Sequence, residues 1–372
     1  MQPLRSTFPL FLAFFTLGSV AHVAAAPPFL PQVRTVSTVP LNGDLNPYGV
    51  AFVPQGVSAG GHLTPGDILV SNFNNKQNQQ GTGTTIIRVR PTGTPSVFYQ
   101  APVGHGLTTA LVVLREGFVL VGNLPTADGT CATARAGSIL VLDKHGQLVN
   151  TITSPLIDGP WDATLHENGT TAHLFVSNAL TGTVSRLDLH VSATNVTLHQ
   201  AVPVASGYAH RCDPAALVVG PTGLVYDHKT NQLFVASTAD NAIFAVAGAG
   251  TTMMDLGRGA LVYMDPTHLH GPLALVRAPN GDFLVSNSDV INSDPAQPSE
   301  IVEFTREGQF RRQLSVDLTQ GGSFGLNVHR VFSTETEMVQ FAAVDDSTNT
   351  LTIWTLPMPE GEFFEHPEER GR

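Results

Sequence analysis

The chain has 372 residues, only 13% of them charged, and its net charge of −11 excludes a surface built to neutralise a row of phosphates. Gly (35) and Pro (26) are abundant without forming a low-complexity tract, which suits many short buried strands joined by many turns. Beyond the N-terminal segment no stretch is apolar and long enough to cross a bilayer as a helix.

The chain opens on Arg5, an apolar run over residues 8–20 and the small residues Val23, Ala24 and Ala25, which together predict a cleavable export signal over residues 1–25. The apolar run is shorter than the roughly 20 residues a spanning helix needs. Residues 26–356 then form the expected folded domain. Residues 357–372 are Pro-rich and acidic, and their composition predicts a disordered tail.

Within the domain a turn, an apolar strand and a small polar residue recur six times. The second strand of each unit ends at Asn72, Asn123, Asn178, Ser237, Asn287 and Asp345 in turn. The turns that open the units lie near Asn46-Pro47, Gly104-His105, Asp158-Gly159, Gly220-Pro221, His270-Gly271 and Gly322-Ser323, about 50 to 60 residues apart. Asn280-Gly281 between apolar runs is a strong hairpin signal. A third strand follows in every unit, as in Ser138-Ile139-Leu140-Val141-Leu142 and Leu351-Thr352-Ile353-Trp354. The sixth unit then runs out of chain, while residues 32–39 form a strand that belongs to no unit. Pairing that strand into the last unit closes a ring and hides both sheet edges. The predicted fold is therefore all-β, a six-bladed β-propeller of four-stranded antiparallel blades.

The patterns Asn46-Pro47-Tyr48-Gly49-Val50-Ala51, Gly66-Asp67-Ile68-Leu69-Val70-Ser71-Asn72 and Asn280-Gly281-Asp282-Phe283-Leu284-Val285-Ser286-Asn287 resemble the NHL-repeat and SMP-30/gluconolactonase-like propellers. That resemblance spans about residues 32–356 and implies the fold more than an activity. Its hydrolytic members imply a calcium or similar divalent ion at the channel mouth, held by Glu, Asn and Asp. This chain departs from them: Asn46 and Pro47 stand where the lactonases carry a Glu, and Pro221-Thr222-Gly223 where they carry Pro-Asp-Gly.

In a propeller the ends of the second strands and the starts of the innermost strands converge on one end of the channel. Alignment places Asn46, Asn72, Asn123 and Asp162 there as candidate ligand-binding residues. Asp158, Asn178, Asn287 and Asp345 are candidate ligands for Ca²⁺ or another divalent cation, because hard cations take oxygen donors. His105 and His270 are candidate proton-transfer residues if the protein is an enzyme. The repeated Asn has a second reading, as turn chemistry in which the amide bonds local backbone. Asp289, Asn292 and Asp294 read as a polar loop, since the Gly and distal Glu of a calcium-binding loop are missing. Cys131 and Cys212 fall in loops expected on one face, leaving open a disulfide or two free thiols. Two functions remain in view. One is an exported binding or scaffolding module, expected to be a monomer, whose mouth loops take a small-molecule, glycan or protein ligand. The other is a divalent-metal-dependent hydrolase or lyase acting on a lactone or ester.

Overall fold

The computed structural model describes residues 31–288, 300–318, 321–332 and 337–358. The export signal, residues 289–294 and all but the first two residues of the acidic tail lie outside them. Six four-stranded antiparallel sheets form a ring. Their innermost strands are Leu45–Phe52, Leu107–Val113, Pro160–Asn168, Pro221–Asp227, Pro272–Arg277 and Ser323–Phe332. The ring closes as the stray N-terminal strand predicts. Gln32–Ser37 lies antiparallel to Thr350–Pro357, with Gln32 opposite Thr355 and Ser37 opposite Thr350, as the outer strand of blade six.

Apolar slabs fill the wedges between neighbouring blades. Ala51, Leu69 and Ile86 of blade one pack with Leu111, Val119 and Leu140 of blade two, and equivalent clusters recur around the ring. The residue pattern explains them: the second and third strands are almost continuously apolar because both of their faces are covered.

Every innermost strand carries a β-bulge near its start. In five blades two residues stand opposite one: Tyr48-Gly49, Trp161-Asp162, Thr222-Gly223, Leu273-Ala274 and Phe324-Gly325. In blade two, Thr108, Thr109 and Ala110 face Gly122 alone. A bulge frees a backbone N–H, and the Ser of the repeated Val-Ser-Asn pattern receives it. Gly49 N donates to Ser71 Oγ (3.0 Å), Asp162 N to Ser177 Oγ (3.0 Å) and Ala274 N to Ser286 Oγ (2.9 Å). Two of these hydroxyls donate onward to the next blade, Ser71 to Thr108 O (2.8 Å) and Ser286 to Phe324 O (2.6 Å). Adjacent inner strands thus touch backbone to backbone. A Cβ on Gly325 would collide with Tyr48 O, and one on Gly223 with Leu273 O.

Between blades three and four the chain inserts a small hairpin, Arg211–Asp213 paired with Leu217–Val219. Cys212 in this hairpin is disulfide-bonded to Cys131, which starts a short 3-10 turn, Cys131–Thr133, in blade two. Among the described residues no helix is long and apolar enough to cross a membrane.

The bulge strut is testable at one atom. Ser71→Ala leaves the buried Gly49 N–H and Thr108 C=O without their partner and is expected to destabilise the fold by about 1–3 kcal/mol. Chemical denaturation midpoints measure this; an unchanged midpoint would show that the hydroxyl supports nothing.

Candidate functional site

In blades one, three and six the residue that opens the bulge is aromatic, and these rings close the channel. Tyr48 stacks on Phe324 at 4.6 Å and meets Trp161 edge-on at 5.7 Å, while Phe73 lies 5.1 Å from Tyr48 and 5.4 Å from Trp161. These rings, with Leu273, form one buried core cluster at the centre of the ring. The mouth is therefore floored by aromatic carbon.

Above that floor lies a cavity of about 220 Å³. Asn46, Thr222, Thr238, Ser288 and Asp346 contribute polar wall, and Ala215, Ala216, Val218 and Val219 of the inserted hairpin form its cover. The cover is held from two sides. The Cys131–Cys212 bridge ties it to blade two, and Gln80 Nε2 donates to Ala215 O at 2.8 Å. Leu217, at the hairpin's return, adopts φ 65° and is buried against the central cluster. Two of the lining residues also hold a buried polar atom without a partner: the indole Nε1 of Trp161, a donor, and Asn46 Oδ1, an acceptor.

Below the floor the channel continues as a separate cavity of about 300 Å³, with Tyr48 on the border of both. Its wall includes Gly49, Thr109, Asp162, Leu224, Ala274 and Gly325, one residue from each blade. Asp162 keeps some accessible surface there because the channel has room for water. Protein surrounds it on all sides, and this desolvation pushes its carboxyl up to about 8, against the opposing pull of N–H groups from Ala163 and Leu224.

The other sequence candidates divide by what their side chains touch. Asn123 Nδ2 donates to His105 O (3.1 Å) and its Oδ1 accepts from Ser138 Oγ (2.6 Å). Asn178 Oδ1 accepts Asp158 N (3.0 Å) while its Nδ2 donates to Thr183 Oγ1 and Ser185 Oγ. Asn287 Oδ1 accepts His270 N (2.9 Å) and its Nδ2 donates to His268 O (2.8 Å). Asn72 Nδ2 reaches Thr38 O and Thr85 Oγ1. These amides pin each blade to the loop that leads into it, which is the turn-chemistry reading of the repeat. Of the two acidic candidates for a metal, Asp158 and Asp345, only Asp345 belongs to a group of three or more acidic or imidazole ligands among the described residues. Asp158 is half-buried, and burial raises its pKa. His270 is buried, His105 is half-buried, and neither lines the mouth cavity.

Asp345 lies with Glu300 and Asp317, their ligand oxygens all within 4.8 Å of one another, an acidic group of the kind that can hold a metal ion. Sequence reading missed Glu300 and Asp317 because they come from different segments, one before a third strand and one in the link between blades five and six. It also passed over Tyr48, Trp161 and Phe324, whose signal was available: each follows the Pro or Ser that opens an inner strand.

No protein-family model matches the chain, and no curated protein sequence is significantly similar to it. Solved structures share the fold at low identity. A DUF4623-family protein of Bacteroides eggerthii is 11% identical with a TM-score of 0.53, over 90% of this chain and 76% of that one. A proposed oxidoreductase (glucose dehydrogenase) of Thermus thermophilus is 13% identical with a TM-score of 0.51, over 88% and 100%. The calcium-binding protein regucalcin of Agrobacterium tumefaciens is 13% identical with a TM-score of 0.48, over 85% and 91%. The chain is a six-bladed β-propeller. The likenesses to the Bacteroides and Thermus structures agree with that architecture and leave its activity to the site.

The channel carboxyl predicts a pH signature. A carboxyl raised in the folded state contributes stability that is complete below its unfolded pKa and is lost as pH rises through the folded value, here about 8. Asp162→Asn is expected to stabilise the protein at about pH 9, by on the order of 1–3 kcal/mol once channel water is allowed for, and to change little at about pH 5. Thermal melts of both proteins at the two pH values check this; an equal effect at both would contradict it.

Proposed function

We propose that the protein is an exported binding module that holds a small, uncharged, ring-shaped ligand in the mouth cavity. The observation that carries this reading is the pairing of an aromatic floor with a partnerless indole donor and a partnerless amide acceptor in one small, covered cavity. Its volume is below the roughly 300–1,000 Å³ of drug-sized sites, so the ligand is of monosaccharide size. A sugar ring lays its C–H face on carbon, and a small turn of the indole and of the Asn46 amide brings both orphan atoms to its hydroxyls. Export is supported by the Cys131–Cys212 bridge, which persists in oxidising compartments, and by the N-terminal signal pattern. Any divalent cation, calcium included, sits in this reading within the wall between blades five and six and not on the channel axis.

The alternative is a metal-dependent hydrolase or lyase acting on a lactone or ester. One feature favours it: Asp346, which lines the cavity, follows Asp345 in the chain. That reading needs a cation open to the cavity and a proton carrier beside it, and His105 and His270 both stand outside the lining.

Calorimetric titration with glucose, glucono-δ-lactone and phenyl β-glucoside separates the two. Saturable binding without turnover is expected. Trp161→Phe keeps the ring and removes the donor, and is expected to weaken binding about tenfold, the worth of one hydrogen bond in a closed site. Ala216→Trp, which fills the cavity, is expected to abolish binding without unfolding the protein. Ring opening of the lactone, lost in EDTA and restored by calcium, would establish the enzyme instead.

A further inference from the structure

The six places where a second strand ends are equivalent by symmetry, and one of them differs in charge. Asn72, Asn123, Asn178 and Asn287 are neutral amides that can donate as well as accept, and each donates to neighbouring oxygen. Ser237 gives its hydroxyl proton to Asp240. At the sixth joint the residue is Asp345, which as a carboxylate has nothing to donate.

Its neighbours deepen the problem. Glu300 comes from blade five, where its carbonyl accepts Asn287 N, and Asp317 comes from the link into blade six. Glu300 is 0% and Asp345 1% exposed. Backbone N–H groups satisfy part of the demand: Val316 and Asp317 donate to Glu300 Oε2, and Thr348 N to Asp345 Oδ1 at 3.1 Å. Three buried oxygens remain without any partner: Glu300 Oε1, Asp345 Oδ2 and the hydroxyl of Ser323, which stands opposite Asp345 in the sheet register. Among the described residues no Lys, Arg or His forms a salt bridge with Glu300 or Asp345. Burial, with the adjacent carboxylates, pushes Glu300 up to about 7 and raises Asp345 as well. Buried charge of one sign without a counter-charge is among the costliest arrangements a fold can hold.

The backbone comes close to the group where a side chain would crowd it. Gly322 borders the group, and a Cβ there would lie 3.0 Å from Asp345 Oδ1 and 3.4 Å from Glu300 Oε1. We propose that Glu300, Asp317, Asp345 and the Ser323 hydroxyl bind one calcium ion that clamps blade five, the connecting link and blade six. The donors are all oxygen, with no imidazole or thiolate, which favours a hard cation. Three carboxylates supply more charge and fewer retained waters than magnesium selects. The ion does for the last joint what the side-chain amides do for four of the others.

The test uses the mature protein stripped with EDTA and titrated with CaCl₂ by calorimetry, with thermal melts alongside. One equivalent of calcium and a several-degree rise in melting temperature are expected, with a weaker response to MgCl₂. Asp345→Asn installs the residue the other joints use. It is expected to fold, to lose the calcium response, and to melt in EDTA no lower than the stripped wild type. Glu300→Gln should lose the response too and serves if the first variant is poorly expressed. Full calcium response in both variants would place the ion elsewhere and overturn the assignment. A stripped Asp162→Asn protein indifferent to calcium, but more stable as pH falls from about 8 to 5, would show that protons neutralise the group and overturn the assignment. Tighter binding of magnesium would overturn the choice of ion.

Discussion

The contact on which the molecule depends is the meeting of inner-strand backbones around the axis. Six strands cannot approach so closely with a regular pleat, because their own side chains would collide. Each therefore bulges at its start. The N–H groups freed at Gly49, Asp162 and Ala274 are received by the hydroxyls of Ser71, Ser177 and Ser286. Glycine at 49, 223 and 325 lets neighbouring carbonyls come within a distance no Cβ allows. Burying these polar groups without partners would cost more than the small net stability of a domain tolerates.

The same bulge builds the site. Two consecutive residues escape the ladder, and they serve opposite ends of the channel. The first of each pair, Tyr48, Trp161, Leu273 or Phe324, packs into the floor of the mouth cavity, and the second, such as Gly49, Asp162, Ala274 or Gly325, lines the channel beneath it. The floor makes the mouth a shallow covered cavity rather than an open well. An inserted hairpin, fastened by a disulfide, then roofs it. The floor of the mouth and the close approach of the inner strands are thus consequences of one local irregularity, repeated six times.

Strand order, blade number and closure by the N-terminal strand were all legible in the sequence, since each rests on local apolar periodicity and on one strand left without a neighbour. The site was less so. A strand-ending Asn reads equally as a ligand and as a joint, and the bonds of Asn123, Asn178 and Asn287 to local backbone appear only in the structure. Asp345 stood out because it was the acidic member of the series. Glu300 could not be paired with it, because their contact crosses from one blade to the next. Trp161 and Phe324 looked like ordinary strand core, and that is chemically what they are; their place on the axis is set by the bulges. The hairpin at residues 211–219 escaped because its strands are three residues each, too short for any period to show.

Carbon closes the axis of this propeller, and the proposed cation lies in its wall. Anomalous diffraction from crystals grown with calcium tests that geometry directly. A single peak is predicted between blades five and six, about 2.3–2.6 Å from oxygens of Glu300, Asp317 and Asp345, and none on the axis. A peak on the channel axis, framed by Asn72, Asn178 and Asn287, would contradict it and return the mouth to a metal centre.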